Sequence, residues 1–407
     1  MKIARVIPAA VALCLALTAC GGGAILPHMK EISDFEVARV FGIDKDGDDI
    51  KVTLVADRTS VDGESGGGKI TEIVSFSGKT VIDAIADMDR HSDKRQHLGY
   101  VDFLLIGEDA ARDGITKYLD FFSRDYESRY STNVFIIRDG TAEDFLNDTA
   151  SEERSIDAAL NNIAEEIDRL SSSQFLRIID LVRVLTTPQQ AAIIPALETT
   201  EIDFGKMVGG EMPTNTFISA GFAFLRDFTL VDYYDVPHAM AYNFLIDKGR
   251  AAPRSVVDHE GNLVALALRS EEIDFTATWD GDTLKGVKFD VRLFANINEQ
   301  QGSNNIYAAD ALSALSEALS RSVKADMDAV IAKSQKLGQD GIDLARRVRM
   351  KHPVRWDRSG LAERWDEVFP TLSIEVEVSA NLRRTYDLRE PIGYVTNTAS
   401  QRQEASK

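Results

Sequence analysis

The sequence predicts an α/β-mixed (α+β) fold, with mixed β-sheets flanked by helices in two to three domains and a lipid-bearing N-terminus. Three observations carry this. Between residues 37 and 137, apolar β-rich runs alternate with helix-patterned segments, an order that suits a mixed sheet rather than a sandwich. Two later stretches, 151–170 and 308–336, keep their apolar residues at steps of three and four, the spacing of one helix face. Finally, 407 residues at about 100–200 per domain leave room for two or three cores, and 44% hydrophobic with 27% charged residues is ordinary globular composition.

The elements follow in order. Lys2 and Arg5 precede an apolar run from Val6 to Leu17, and Leu17-Thr-Ala-Cys20 ends it. This is a secretory signal, too short and wrongly flanked to persist as a membrane span. The Leu-Thr-Ala-Cys ending resembles the lipobox of bacterial lipoproteins, which implies cleavage before Cys20 and lipid on Cys20. Gly21-Gly-Gly23 then opens a flexible tether. Val37–Ile43 and Ile50–Val55 read as a hairpin turning at Asp44-Lys-Asp-Gly-Asp-Asp49. Ile70–Phe76 is a strand, Gly78-Lys-Thr80 opens a helix to about Met88, and Asp102–Ile106 is a buried strand. A helix over Asp109–Phe122, a strand over Asn133–Ile137 and helices over Ser151–Leu170 and Phe175–Leu185 follow. Residues 199–216, with Gly205, Gly209, Gly210 and Pro213, read as a domain connection.

Beyond it, Phe217–Phe224 and Thr229–Tyr233 are strands. Asn262–Leu268, Ile273–Trp279 and Val287–Phe294 form a meander. The longest helix spans Ala308–Lys336 and stops at Gly338, and a further helix runs to about Arg349. Leu372, Ile374, Val376 and Val378 alternate as a half-buried last strand. The expected organisation is a signal peptide (1–19), lipidated Cys20 and tether (20–29), an N-terminal α/β domain (30–205), a C-terminal α+β region (206–390) that can divide near 260, and a polar tail (391–407). No later stretch approaches 18 uninterrupted apolar residues, so no other span is expected.

Charge and cysteine usage narrow the function. A net charge of −19 argues against neutralising nucleic-acid phosphates. The two cysteines, Cys14 and Cys20, both precede the folded body, so no disulfide scaffold, thiolate metal site or cysteine nucleophile is expected there. Gly63-Glu-Ser-Gly-Gly-Gly-Lys69 fits the first seven places of a phosphate-binding loop. Ile70 stands where Ser or Thr should hold magnesium, and a strand rather than a helix follows. The nucleophile-elbow match in Gly63–Gly67 lacks its strand-to-helix turn. Asp44–Asp49 lacks the Gly and Glu of a calcium loop and reads as a charged hairpin tip. His91 and His97, near Asp89, Asp93 and Asp102, are a weak surface-metal candidate without ligand spacing. Trp279, Trp356 and Trp365 read as core or interface residues before they read as a ligand pocket. No catalytic constellation, metal ligand set or cofactor is expected; Cys20 is the one assigned site.

Five segments resemble a known family. Lys30–Asp44 looks like the opening of the C-subunit lipoproteins of spore nutrient germinant receptors, and Gly107–Asp125 looks like that family's N-terminal signature. Gly221-Phe-Ala-Phe224 with Leu230 and Asn243-Phe-Leu245 is similar to the start of its C-terminal region. Lys333-Ser-Gln-Lys-Leu-Gly-Gln-Asp340 and Trp365-Asp-Glu-Val-Phe-Pro370 are similar to its end. One departure stands out. Family members commonly carry Trp-Asp directly after the lipidated cysteine, where this chain has Gly21–Met29. The resemblance implies a non-enzymatic lipoprotein on the outer face of the spore inner membrane, assembled with a polytopic A-type and a permease-like B-type subunit and required for nutrient-triggered germination. A second expectation, permitted by the two-domain pattern and the 205–213 connection, is a stand-alone solute-binding lipoprotein feeding a transporter.

Overall fold

The computed structural model describes residues 35–59, 69–149, 156–187, 189–201, 215–302 and 304–383. The first sheet begins with a hairpin of β1 (Phe35–Asp46) and β2 (Asp49–Thr59). Asp46 pairs with Asp49, and Gly47 at φ +61° supplies the left-handed turn position between them. β3 (Lys69–Gly78) pairs antiparallel with β2. Thr80 then caps α1 (Val81–His91), its hydroxyl accepting from the Asp83 amide at 3.1 Å. The three-residue β4 (Arg95–His97) lies parallel to the start of β1.

β5 (Phe103–Gly107) and β6 (Asn133–Ile137) add parallel strands beside β1. The single helix expected over 109–122 is two, α2 (Glu108–Arg112) and α3 (Thr116–Arg124). Gly114, at φ +99°, breaks them apart. After β6 come α4 (Ala142–Thr149), α5 (Ile156–Leu170) and α6 (Ile178–Leu185); the last starts three residues later than its sequence pattern suggests, because Arg177 bridges to Asn133 in extended form. β7 (Ala192–Glu201) joins parallel to β6, and β8 (Asn215–Arg226) and β9 (Thr229–Tyr234) close the sheet antiparallel. The order is β3-β2-β1-β5-β6-β7-β8-β9, with β4 on β1. The parallel centre is buried on both faces. Phe41, Leu104 and Val134 face α1, α3 and α6, while Val40, Leu105 and Phe135 face α4 and α5.

α7 (Val236–Leu245) leads into a second sheet, β10 (Ala251–Val257), β11 (Leu263–Asp280), β12 (Thr283–Gln300) and β13 (Ser373–Arg383), in that order. The two strands expected at 262–268 and 273–279 are one. A register shift between Ser270 and Glu272 interrupts the side-chain alternation without ending the ladder. α8 (Ala309–Leu337) covers the sheet with Leu315, Leu319, Val323, Met327 and Val330, and ends at Gly338 in the left-handed conformation. α9 (Leu344–Lys351), α10 (Pro353–Ser359) and α11 (Leu361–Val368) complete the layer.

Neither expected division separates the sheets. β7 and β8 lie on either side of 205/206 and are paired neighbours, and β10 and β11 flank 260 as an antiparallel pair. The Gly/Pro connection itself, residues 202–214, lies outside the described residues. A single core joins Ile193, Phe222, Phe224 and Tyr234 of the first sheet to α7, α8 and the second sheet.

Candidate functional site

Several segments singled out in the sequence meet as buried joints. Asp44 is 3% exposed; the charged hairpin tip expected over Asp44–Asp49 is exposed from Lys45 to Asp48, but its first carboxylate is buried. Its carboxylate accepts the amides of Ala142 (2.7 Å) and Glu143 (2.9 Å) at the start of α4. Burial raises its pKa to about 6, against the opposing pull of those two amides. A Cβ on Gly107 would strike the Asp44 carboxylate, which explains the glycine. The next residue, Glu108, accepts from the Asp139 amide (2.6 Å), the Tyr233 hydroxyl (2.9 Å) and Arg112. Burial opposes its ionisation, but these three donors outweigh it and hold its pKa low. Glu108 thereby ties β5 to β9 across the sheet.

The Lys333–Asp340 segment ties the end of α8 to the β8–β9 hairpin on one side and to the stretch before β13 on the other. Lys333 pairs with Asp232 at 2.9 Å, Gln335 donates to the carbonyls of Phe369 (3.0 Å) and Leu372 (2.7 Å), and Gln339 donates to Asp227 (3.1 Å). Asp340 is fully buried and accepts the amides of Ile342, Leu344 and Ala345, while its own carbonyl accepts from Ala191 at the start of β7. Burial raises its pKa to about 6. Gly221 has φ +83°, and a Cβ there would collide with the Tyr234 carbonyl. Asn243, also buried, donates to the carbonyls of Ser171 (2.8 Å) and Ser173 (3.0 Å). Trp365 packs between Trp356 and Phe369, so these two tryptophans belong to the core; Trp279 is partly buried beside His352.

A surface cleft of about 500 Å³ lies between the first turn of α1 and one face of α3. Ile50, Val81, Ile82 and Phe121 give it an apolar floor, and Tyr126 stands at one end. Its rim charges are already paired: Lys79 with Asp49, Lys117 with Asp113, and Arg124 with Asp120 at 2.8 Å. Hydrogen bonds from Lys117 and Lys45 lower the pKa of Asp113, so it stays an ionised partner rather than a proton acceptor poised near neutrality. The site can bind an apolar-and-polar surface; the hydroxyls that line it beside a carboxylate are Thr80, which caps α1 and bonds Asp83 at 2.9 Å, and Tyr126, which bonds Glu127 at 3.0 Å. Residue-by-residue motif matching passes over this cleft. Its signal is the helical spacing of Lys117, Asp120, Phe121 and Arg124.

Cys20 and Gly63–Gly68 lie outside the described residues. His91 stacks on Phe76, and His97 bonds Glu127 at 3.1 Å. Among the described residues no three His, Cys, Asp or Glu side chains gather as a metal site, and no helix is long and apolar enough to cross a membrane.

Two mixed sheets joined through one shared core and tied by buried carboxylates, with a charge-paired surface cleft, define an α+β protein. The particular family follows from comparison. Residues 28–199 match the description "Spore germination protein N-terminal domain", and residues 220–386 match "Spore germination B3/ GerAC like, C-terminal". The chain belongs to this GerAC-like family of spore germination proteins. It is 24% identical over 375 residues to the putative spore germination protein YfkR of Bacillus subtilis (strain 168), covering 89% of this chain and 92% of that one. The solved structure of the GerBC protein superposes with a TM-score of 0.52 at 17% identity, over 84% of this chain and 96% of GerBC, and so shares the fold.

Proposed function

We propose that this chain is the C-type lipoprotein subunit of a nutrient germinant receptor. It is held by lipid on Cys20 at the outer face of the spore inner membrane and acts by contact with A-type polytopic and B-type permease-like subunits. The observation that carries this is the pair of family matches, in order and spanning 28–199 and 220–386, behind a Leu-Thr-Ala-Cys20 lipobox. The charge-paired cleft supports a role in recognition rather than catalysis. A lipid anchor confines the body to a thin layer above the bilayer and raises its effective concentration for membrane partners. The test is a gene deletion in the spore-former, with nutrient-triggered loss of refractility as readout and cross-linking from the intact strain. We expect at least one nutrient response to be lost and membrane subunits to be recovered with the chain. Normal responses to every nutrient with no subunit recovered overturn the reading. In the same strain, Cys20→Ala stops incorporation of labelled palmitate.

A further inference from the structure

We infer that the pole of the first sheet where β1 begins is a bilayer-facing surface, which rests a band of tyrosines and arginines on anionic lipid headgroups. This rests on the lipid-anchor reading of Cys20. Fourteen residues separate Cys20 from Phe35. At no more than about 3.6 Å per residue, the anchor lies within about 55 Å of Phe35 however that stretch is arranged. The surface around Phe35 is therefore the part of the body nearest the anchor along the chain.

That surface is unusual. Phe35 meets the His97 ring at 5.6 Å, His97 meets Tyr100 at 5.7 Å, and Arg129 lies over Tyr100 at 4.8 Å. His97 bonds Glu127, whose other oxygen accepts from the Tyr126 hydroxyl at 3.0 Å. Tyr130 accepts the Ile179 amide on its carbonyl at 3.1 Å, which brings the start of α6 into the same patch. Arg95 stands opposite Phe35 in the β1–β4 pairing. Tyr100 (46% exposed), Tyr126 (86%), Tyr130 (46%) and Ile179 (45%) are four of the ten most exposed large apolar or aromatic side chains among the described residues. They are contiguous around the entry of the chain, so they are not scattered singly.

The chemistry fits a bilayer interface. Tyrosine presents an apolar ring and a polar hydroxyl and partitions to headgroup depth, where arginine is attracted to anionic phosphates. Arg95 and Arg129 are in no ion pair among the described residues. In a chain with net charge −19, Arg95 and Arg129 offset Glu127 and Asp125 at this pole, so it approaches an anionic surface with less repulsion than the acidic body as a whole.

The test uses the full lipidated chain in phosphatidylcholine vesicles containing phosphatidylglycerol. Mass spectrometry first reads the lipid on Cys20; without it, both the anchor reading and this inference fall. With the lipid in place, Y126C and, on the helices of the second sheet, V354C each provide a single free thiol for a fluorophore. Both positions are exposed enough to leave folding intact. Headgroup-nitroxide lipid should quench the label at 126 several-fold more than at 354, and R95E with R129E should remove that difference. Equal quenching at the two positions, with Cys20 lipidated, overturns the bilayer-facing surface and leaves the anchor standing. Protection of the 126 label only when other membrane subunits are present overturns it in favour of a protein contact.

Discussion

Asp340 carries more of this structure than its sequence context suggests. One carboxyl accepts three amides and starts α9, and the same residue's carbonyl receives β7. Its folded pKa is raised by burial from 3.8 to about 6. The stability tied to this group is therefore complete below about pH 3.8 and is lost as pH rises through about 6. Asp340→Asn should destabilise the protein, since an amide cannot accept all three N–H groups. That penalty should shrink by on the order of 3 kcal/mol between pH 4 and 7 as wild type loses the protonated form. Urea unfolding across that range checks it, and a penalty that does not change with pH sinks it. Gly221→Ala, forced into φ +83° against the Tyr234 carbonyl, should cost about 1–3 kcal/mol in the same assay; a neutral effect would show that β8 can shift there. Of these positions the sequence makes the glycines legible as special only by resemblance. Asp44 and Asp340 sit among other acids, and no local pattern distinguishes a buried carboxylate from a solvated one.

Elements were legible where one face alone is buried. α8 shows its steps of three and four because its other side meets solvent; of the residues the spacing selects, Leu315, Leu319, Val323, Met327 and Val330 are buried and Leu312 is half-buried, while Ala311, Ile331 and Ser334 widen the buried face. Leu319→Ala should accordingly cost about 2–5 kcal/mol, and Glu317→Ala, two residues away on the exposed side, within about 0.5 kcal/mol. Equal losses in guanidinium unfolding would mean that the helix face is misplaced. Elsewhere the signal is hidden for physical reasons. β7 contains Pro195, which ordinarily demotes a strand, but it sits beside a register shift against β8. β10 tolerates Pro253 because it is the edge of its sheet. α7 has no periodicity because it is apolar nearly all round and buried from Ala241 to Leu245. Pro353 looks like a helix stop and is instead the first residue of α10.

At the scale of the molecule, composition and motif order indicate two halves, whereas packing joins them. Sequence patterns report which residues want burial, not which distant element will bury them, so a core shared across 205/206 leaves no local trace. Ile193, Phe222, Phe224 and Tyr234 sit in the same core as α8 and β12, and the Tyr234 hydroxyl reaches the Val330 carbonyl and Ser334. That arrangement has a thermodynamic consequence. All three tryptophans, Trp279, Trp356 and Trp365, lie in the second half and report the packing of the core around the second sheet. Leu104 is buried in the first sheet among α1 and α3, in a different core. If the shared core couples the halves, Leu104→Ala, which should remove about 2–5 kcal/mol, will lower the tryptophan-detected midpoint together with the far-UV circular dichroism midpoint, as one cooperative transition. If the halves unfold independently, circular dichroism will split into two steps and the tryptophan midpoint will stay where it was. The joints at Asp340, Gln339 and Lys333 favour the first outcome, because each would have to break before the sheets could part.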